Sequence, residues 1–219
     1  MILTNWKTQY KSIKGKDIPV AIIGTGDNCI LVLACMHGDE QQGKYIAMKL
    51  LAYYEENKLA ISNKKMIVVP VVNPDGYELN IRGNARGVDI NRNFPTKNWV
   101  KSENKDDYFS GDAPSSEPET RTIIDLIKIY KPAFILSFHQ PYKIINYDGP
   151  AIKSAQLLAK FNKYEILEDI GYPTPGSLGN YAGIERNIPI ITLELPENET
   201  DEIVWRDNCL GLIAVINQV

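Results

Sequence analysis

The sequence predicts an α/β fold: a mixed, mostly parallel central sheet with helices on both faces. Three observations carry that expectation. Short β-branched apolar runs recur along the chain, amphipathic helical patterns separate several of them, and apolar residues make up 44% of the 219 positions, enough for one globular domain with a sizeable core. The whole chain, 1–219, reads as a single domain.

The strand candidates are IPVAIIG (18–24), CILVLAC (29–35), KMIVVPV (65–71), AFILSF (133–138) and IPIITLEL (188–195). They are almost continuously apolar rather than alternating, which marks strands covered on both faces. Helices are expected over 40–57, where Ala47, Met48, Leu50 and Leu51 share a face among charged residues, and over 117–130. The second opens on Ser116-Glu117-Pro118-Glu119, which reads as a capping box with proline in the first turn. AIKSAQLLAKFNKY (151–164) and TDEIVWRDNCLGLIAVINQV (200–219) are two further helical patterns. Residues 73–115 have no regular pattern and are rich in Asn, Gly, Asp and Arg; a loop of that length in a compact domain is usually functional.

Composition excludes several partners. The net charge is −3 and no lysine or arginine cluster stands out, so neither nucleic acid nor an anionic membrane is an expected partner. No apolar stretch approaches the roughly 20 residues needed to span a bilayer. MILTNWKTQYKS at the start lacks the basic-then-apolar pattern of a secretory signal. Cys29, Cys35 and Cys209 form no CxxC pair and read as small buried residues, not as a disulfide framework or thiolate zinc site. These features place the protein in the cytoplasm. A monomer or homodimer is expected, a choice the sequence leaves open.

The chain has only two histidines, and both stand just beyond the carboxyl ends of buried strands. His37 follows ILVLAC, with Glu40 three residues later; His139 ends AFILSFH. Open α/β sheets bind their ligands at that edge. HxxE alone is weak, but a catalytic zinc site uses three protein donors and an open position, and two histidines with one glutamate is a known set. Glu194, near the end of IPIITLELP, is a carboxylate in an otherwise apolar strand. Such an acid either bonds local backbone or faces a polar cleft, where it can act as a general base of raised pKa. NPDGYELNIRGNARGVDINRNFP (73–95) adds three arginines, the residue type suited to gripping carboxylates.

HGDE, NPDGY, GVDINRNFP, SFHQP and TLELP, in that order, resemble the zinc carboxypeptidase family of the carboxypeptidase A type. GDAPSSEPET (111–120), SFHQP and GYPTPGS (171–177) are more similar still to its murein tripeptide amidase branch, short cytoplasmic enzymes that cut between γ-D-glutamate and diaminopimelate in recycled cell-wall peptides. The resemblance implies one zinc ion held by His37, Glu40 and His139, with Asp89 bonded to the far nitrogen of the first histidine. It implies that Glu194 is the catalytic acid/base and that Arg82 stabilises the oxyanion, with Arg86 the weaker match. Asn91 and Arg92 would hold the terminal carboxylate of a small peptide substrate, and Tyr172 would close over it. One position departs from the branch: Gln140 stands where an acid usually follows the third ligand, which bears on recognition of the diaminopimelate amino group. Three other readings stay open. They are a general metallocarboxypeptidase, a deacylase of the aspartoacylase or succinylglutamate desuccinylase type, and an inactive module that binds peptide carboxylates; retention of Glu194 with all three ligands counts against the last.

Overall fold

Eight strands form one mixed sheet in the order β1-β2-β4-β3-β5-β8-β6-β7. The computed structural model describes residues 4–102 and 108–219. The strands are β1 (Asn5–Lys11), β2 (Asp17–Ile23), β3 (Asn28–Leu33), β4 (Lys64–Val69), β5 (Phe134–His139), β6 (Tyr142–Asp148), β7 (Glu165–Leu167) and β8 (Ile190–Pro196). The helices are α1 (Gln42–Glu56), α2 (Pro74–Leu79), α3 (Pro118–Tyr130), α4 (Ile152–Asn162) and α5 (Asp201–Gln218). The central block β4-β3-β5-β8 is parallel, as its continuous apolar runs require, and antiparallel strands flank it on both sides.

Alternation along each strand divides the core in two. Ile30, Val32, Leu136, Phe138, Ile191 and Leu193 face one cluster shared with α1, α4 and α5. Leu31, Leu33, Ile67, Val69 and Ile135 face the other, shared with α3. Each such side chain contributes about 1.5–3 kcal/mol of burial. The second cluster takes Ile135 from β5 and Ile190 from β8, and no later residue of either strand. Beyond that point the same face carries Ser137 and His139 on β5 and Thr192 and Glu194 on β8. Register brings those pairs together, with Ser137 opposite Thr192 and His139 opposite Glu194. The apolar layer therefore gives way to a polar one at the carboxyl edge of two neighbouring strands.

The five expected strands and four expected helices are present, with ends shifted by at most two residues. Among the described strands and α-helices, four were not anticipated. β1 is an edge strand that is polar or half-exposed along its whole length, so it shows no apolar run. β6 and β7 lie at the other edge and carry one fully buried residue between them. α2 falls inside the supposed loop; Asn73 caps it by accepting from the Gly76 amide, with proline at its first position. The capping box at α3 does not form. Glu117 is the N-cap residue and makes no side-chain cap bond. Glu119 instead accepts from the Ile13 amide and from Asn84 Nδ2. Burial of Cys29 and Cys35 is as expected, whereas Cys209 is part-exposed. Among the described residues, no helix is long and apolar enough to cross a membrane.

Candidate active site

The turn after β3 brings the first two candidate ligands out of the sheet. His37-Gly38-Asp39-Glu40 is closed by the Glu40 amide donating to the His37 carbonyl, at 3.3 Å. It rests on α2, because a Cβ at Gly38 would stand 2.0 Å from the Gly76 carbonyl carbon. The Gly38 amide also donates to the Arg82 carbonyl at 3.2 Å, which ties the turn to the arginine-bearing loop. Gly38→Ala is therefore expected to cost about 1–3 kcal/mol of stability by overpacking against backbone. It should also weaken metal binding; a thermal melt and a zinc titration measure the two effects, and an unchanged titration would separate the turn from the metal site.

His37, Glu40 and His139 converge, with one candidate ligand atom from each lying within 4.8 Å of the others. Both imidazoles direct Nδ1 inward: His37 Nδ1 is 2.7 Å from Glu40 Oε1, His139 Nδ1 is 2.8 Å from Glu40 Oε2, and the two Nδ1 atoms are 3.2 Å apart. Their outer nitrogens are separately held. His37 Nε2 meets Asp89 Oδ1 at 2.9 Å and His139 Nε2 meets Ser137 Oγ at 3.0 Å. Such outer partners set the tautomer so that the inner nitrogen presents a lone pair. Glu40 Oε2 is buried and, despite its nearness to His139, makes no well-formed hydrogen bond. Three acceptor atoms aimed at one buried point suit a divalent cation, and a set of two histidines and one carboxylate suits zinc.

The electrostatics show a cluster that attracts positive charge. Burial opposes a charge on His37, but Glu40 and Asp89 outweigh it and hold the imidazole up at about 9. Burial also opposes a charge on Glu40, yet His37 and His139 keep the carboxyl well below the usual range. Burial dominates at His139 and draws it down. Two buried carboxylates, Glu40 and Asp89, favour positive charge between them, either a proton on His37 or a metal ion that displaces it. Glu194, register partner of His139, is pushed up to about 8, first by burial and then by the Glu40 carboxylate. Its Oε2 is buried and has no hydrogen-bond partner among the described residues.

The other expected residues fall as follows. Asp89, at the start of a 3-10 turn over Ile90–Arg92, accepts from the Asn91 amide and from His37 through Oδ1. Its Oδ2 takes Arg82 Nε at 3.1 Å and Nη2 at 2.9 Å. Arg82 thus lines the cleft beside Glu40, its Nη1 3.5 Å from Oε1. Arg86 does not join the site; its guanidinium is more than half exposed and reaches Glu117 at 3.6 Å. Asn91 and Arg92 line the same cleft. Asn91 Oδ1 accepts from the Leu178 amide at 2.8 Å, which leaves Nδ2 as its free donor. Tyr172 stands at the mouth, its phenol pushed up to about 12 by burial and by neighbouring Tyr142. Gln140 lines the cleft but its amide is engaged: Oε1 accepts from the Gln42 amide, and Nε2 donates to Gln42 Oε1 and the Pro196 carbonyl. It serves as a cap for the start of α1 more than as a group offered to substrate.

Several cleft or supporting residues were missed from sequence, among them Ser137, Tyr108 and Asp148. Ser137 sits two residues before His139, so strand alternation could have placed it on the same face. Tyr108 and Asp148 had no such signal. The Asp148 carboxylate lies over two glycines, where a Cβ at Gly179 would come within 2.2 Å of Oδ2 and one at Gly183 within 2.4 Å of Cβ. Among the described residues no hydrogen bond or ion pair engages that carboxylate, and burial, then Glu168, push it up to about 6.

Residues 3–203 match the model of the zinc carboxypeptidase family. The chain belongs to the zinc carboxypeptidase family. It is 37% identical over 183 residues to murein peptide amidase A of Escherichia coli K12, covering 78% of this chain and 73% of that one. The γ-D-glutamyl-L-diamino acid endopeptidase 1 of Lysinibacillus sphaericus is 26% identical over 224 residues, covering 78% of this chain and 54% of its own length. The crystal structure of the murein-tripeptide amidase of Escherichia coli O157 superposes with a TM-score of 0.78 at 27% identity, over 99% of this chain and 93% of that one. This member of the family is a hydrolytic metallopeptidase or amidase, and the mixed sheet with helices on both faces is the family's fold.

Proposed function

We propose that this enzyme hydrolyses the amide bond between γ-D-glutamate and diaminopimelate in free murein peptides, with one zinc ion held by His37, Glu40 and His139. One observation carries the substrate reading: a single cleft is lined by Arg92, by the candidate metal ligands and by Asp148, whose carboxylate has no hydrogen-bond or ion-pair partner among the described residues. A leaving residue that complements both the guanidinium and the carboxylate bears a carboxylate and an ammonium, as diaminopimelate does. Similarity to enzymes named for murein peptides and diamino acids supports it. The acidic balance and free cysteines support a cytoplasmic role in cell-wall recycling, with 1–219 acting as one metallopeptidase domain, monomeric or dimeric.

Bound zinc supplies Lewis-acid polarisation of the scissile carbonyl and a water whose pKa is lowered to about 7. The protein's own residues do the rest. Glu194 Oε2, buried and without a partner among the described residues, takes a proton from the attacking water and returns it to the leaving amine. Its raised pKa brings the two directions of transfer close in energy. Arg82, braced on Asp89, donates to the developing oxyanion, a contribution of about 2.7–4 kcal/mol for one such donor. Arg92 and the free Nδ2 of Asn91 fix the terminal carboxylate, a gain in positioning more than in chemistry. Tyr172 covers the bound peptide from the mouth.

Rates measured side by side on L-Ala-γ-D-Glu-diaminopimelate, its lysine analogue, a blocked dipeptide ending in Phe, and N-acetyl-aspartate test this reading. The diaminopimelate peptide is expected to turn over fastest. Fastest turnover of the Phe dipeptide would return the enzyme to general carboxypeptidases, and of N-acetyl-aspartate to deacylases. Asp148→Asn should erode the preference for diaminopimelate over Phe by roughly 10- to 100-fold, the range for one hydrogen bond to a charged group. An unchanged preference would remove Asp148 from recognition.

A further inference from the structure

Tyr108 stands at the edge of the cleft and is 40% exposed. Its ring centre is 5.3 Å from the Arg82 guanidinium and 5.2 Å from that of Arg92. One aromatic face system therefore serves both cleft arginines. The two are otherwise anchored very differently. Arg82 is fastened by Nε and Nη2 to Asp89. Arg92, though only 5% exposed, has a single side-chain hydrogen bond among the described residues, from Nη1 to the adjacent Asn91 carbonyl at 2.8 Å. No carboxylate pairs with it among the described residues. Two like charges share this end of the cleft, and among the described residues only Arg82 is in ion-pair contact with a carboxylate.

A cation over an aromatic ring is attracted by the negative face of the π-system, and the attraction grows as the pair leaves water. Contact with a ring also restricts a guanidinium, which reduces the rotamer entropy that substrate binding would otherwise have to remove. Pairing with a carboxylate in the guanidinium plane does not compete with the ring, because ring contact uses the face and the fork uses the edge.

We propose that Tyr108 is a positioning residue that holds Arg92 ready for the substrate's terminal carboxylate while keeping it apart from Arg82. The proposal rests on the carboxylate role given to Arg92 above. It predicts an effect on binding that follows the ring, not the hydroxyl, and that vanishes when Arg92 is gone.

The test is steady-state kinetics of the zinc-loaded enzyme on two carboxylate-ended substrates, L-Ala-γ-D-Glu-diaminopimelate and a blocked dipeptide ending in Phe, whichever the unmodified enzyme cleaves faster serving as reporter. Tyr108→Leu is expected to raise KM roughly five- to tenfold with kcat changed less than about threefold, the scale of one lost cation–π contact. Tyr108→Phe should stay within about twofold of the parent. Tyr108→Asn, which keeps a polar surface, should behave as the leucine variant does and guards against misfolding of either one; thermal melts check both. In an Arg92→Gln background, Tyr108→Leu should add less than about twofold, because contacting residues are not additive. A phenylalanine variant as impaired as leucine, a loss confined to kcat, or full additivity with Arg92→Gln would overturn the role of Tyr108 while leaving that of Arg92 intact. A normal KM in Arg92→Gln itself would overturn the carboxylate reading and this proposal together.

Discussion

Glu194→Gln is expected to retain one zinc per chain and to lose turnover by about 10³- to 10⁴-fold, the upper range for removal of a general base. Glutamine has nearly the same shape, and register with His139 on β5 keeps its backbone in place. Its amide cannot accept the proton of the attacking water. The buried Oε2 position, which has no hydrogen-bond partner among the described residues, becomes an amide with one acceptor or donor in its stead, so folding should change little. Metal analysis alongside single-substrate kinetics separates the outcomes. Loss of zinc in this variant would make Glu194 a ligand, and near-normal turnover would assign the proton transfer to another group.

The second large effect concerns the metal itself. His37→Ala and His139→Ala should each abolish stoichiometric zinc binding, because each removes one of three converging donors and two are too few for a tight catalytic site. Turnover should fall to background in both. Asp89→Asn offers a graded comparison. It keeps the size of the side chain but replaces the carboxylate that meets His37 Nε2 at 2.9 Å, and loss of such an outer partner typically costs 10- to 100-fold in metal affinity or activity. Arg82 would lose its charged brace at the same time, so the activity loss should exceed the affinity loss. Competitive chelator titrations rank the three variants. Parent-like affinity in both histidine variants would place the metal elsewhere.

Several features of this protein were legible without coordinates. Continuous apolar runs cannot be half-exposed, so the parallel centre of the sheet follows from composition and spacing alone. His37, Glu40, His139 and Glu194 could be singled out because each is a polar side chain set where an apolar strand ends. The edges of the sheet were not legible: β1, β6 and β7 are stabilised by backbone pairing to neighbours, and their half-exposed faces leave no apolar signature.

Only tertiary structure decided the rest, because it depends on distances between segments far apart in the chain. His37 and His139 are 102 positions apart yet have Nδ1 atoms 3.2 Å from one another. Arg82 and Arg86 lie in one turn-rich segment and look alike in sequence, but Asp89 draws one into the cleft while the other reaches out to Glu117. Gln140 reads as a change of charge beside a ligand; in the fold its amide is taken up by the start of α1. Asp148 and Tyr108 carry no motif at all. Their places are set by two glycines that make room for a carboxylate and by two guanidiniums that flank one ring. Strand periodicity is a local property and can be read along the chain, whereas the partner of a buried charge is chosen by packing and appears only once the segments meet.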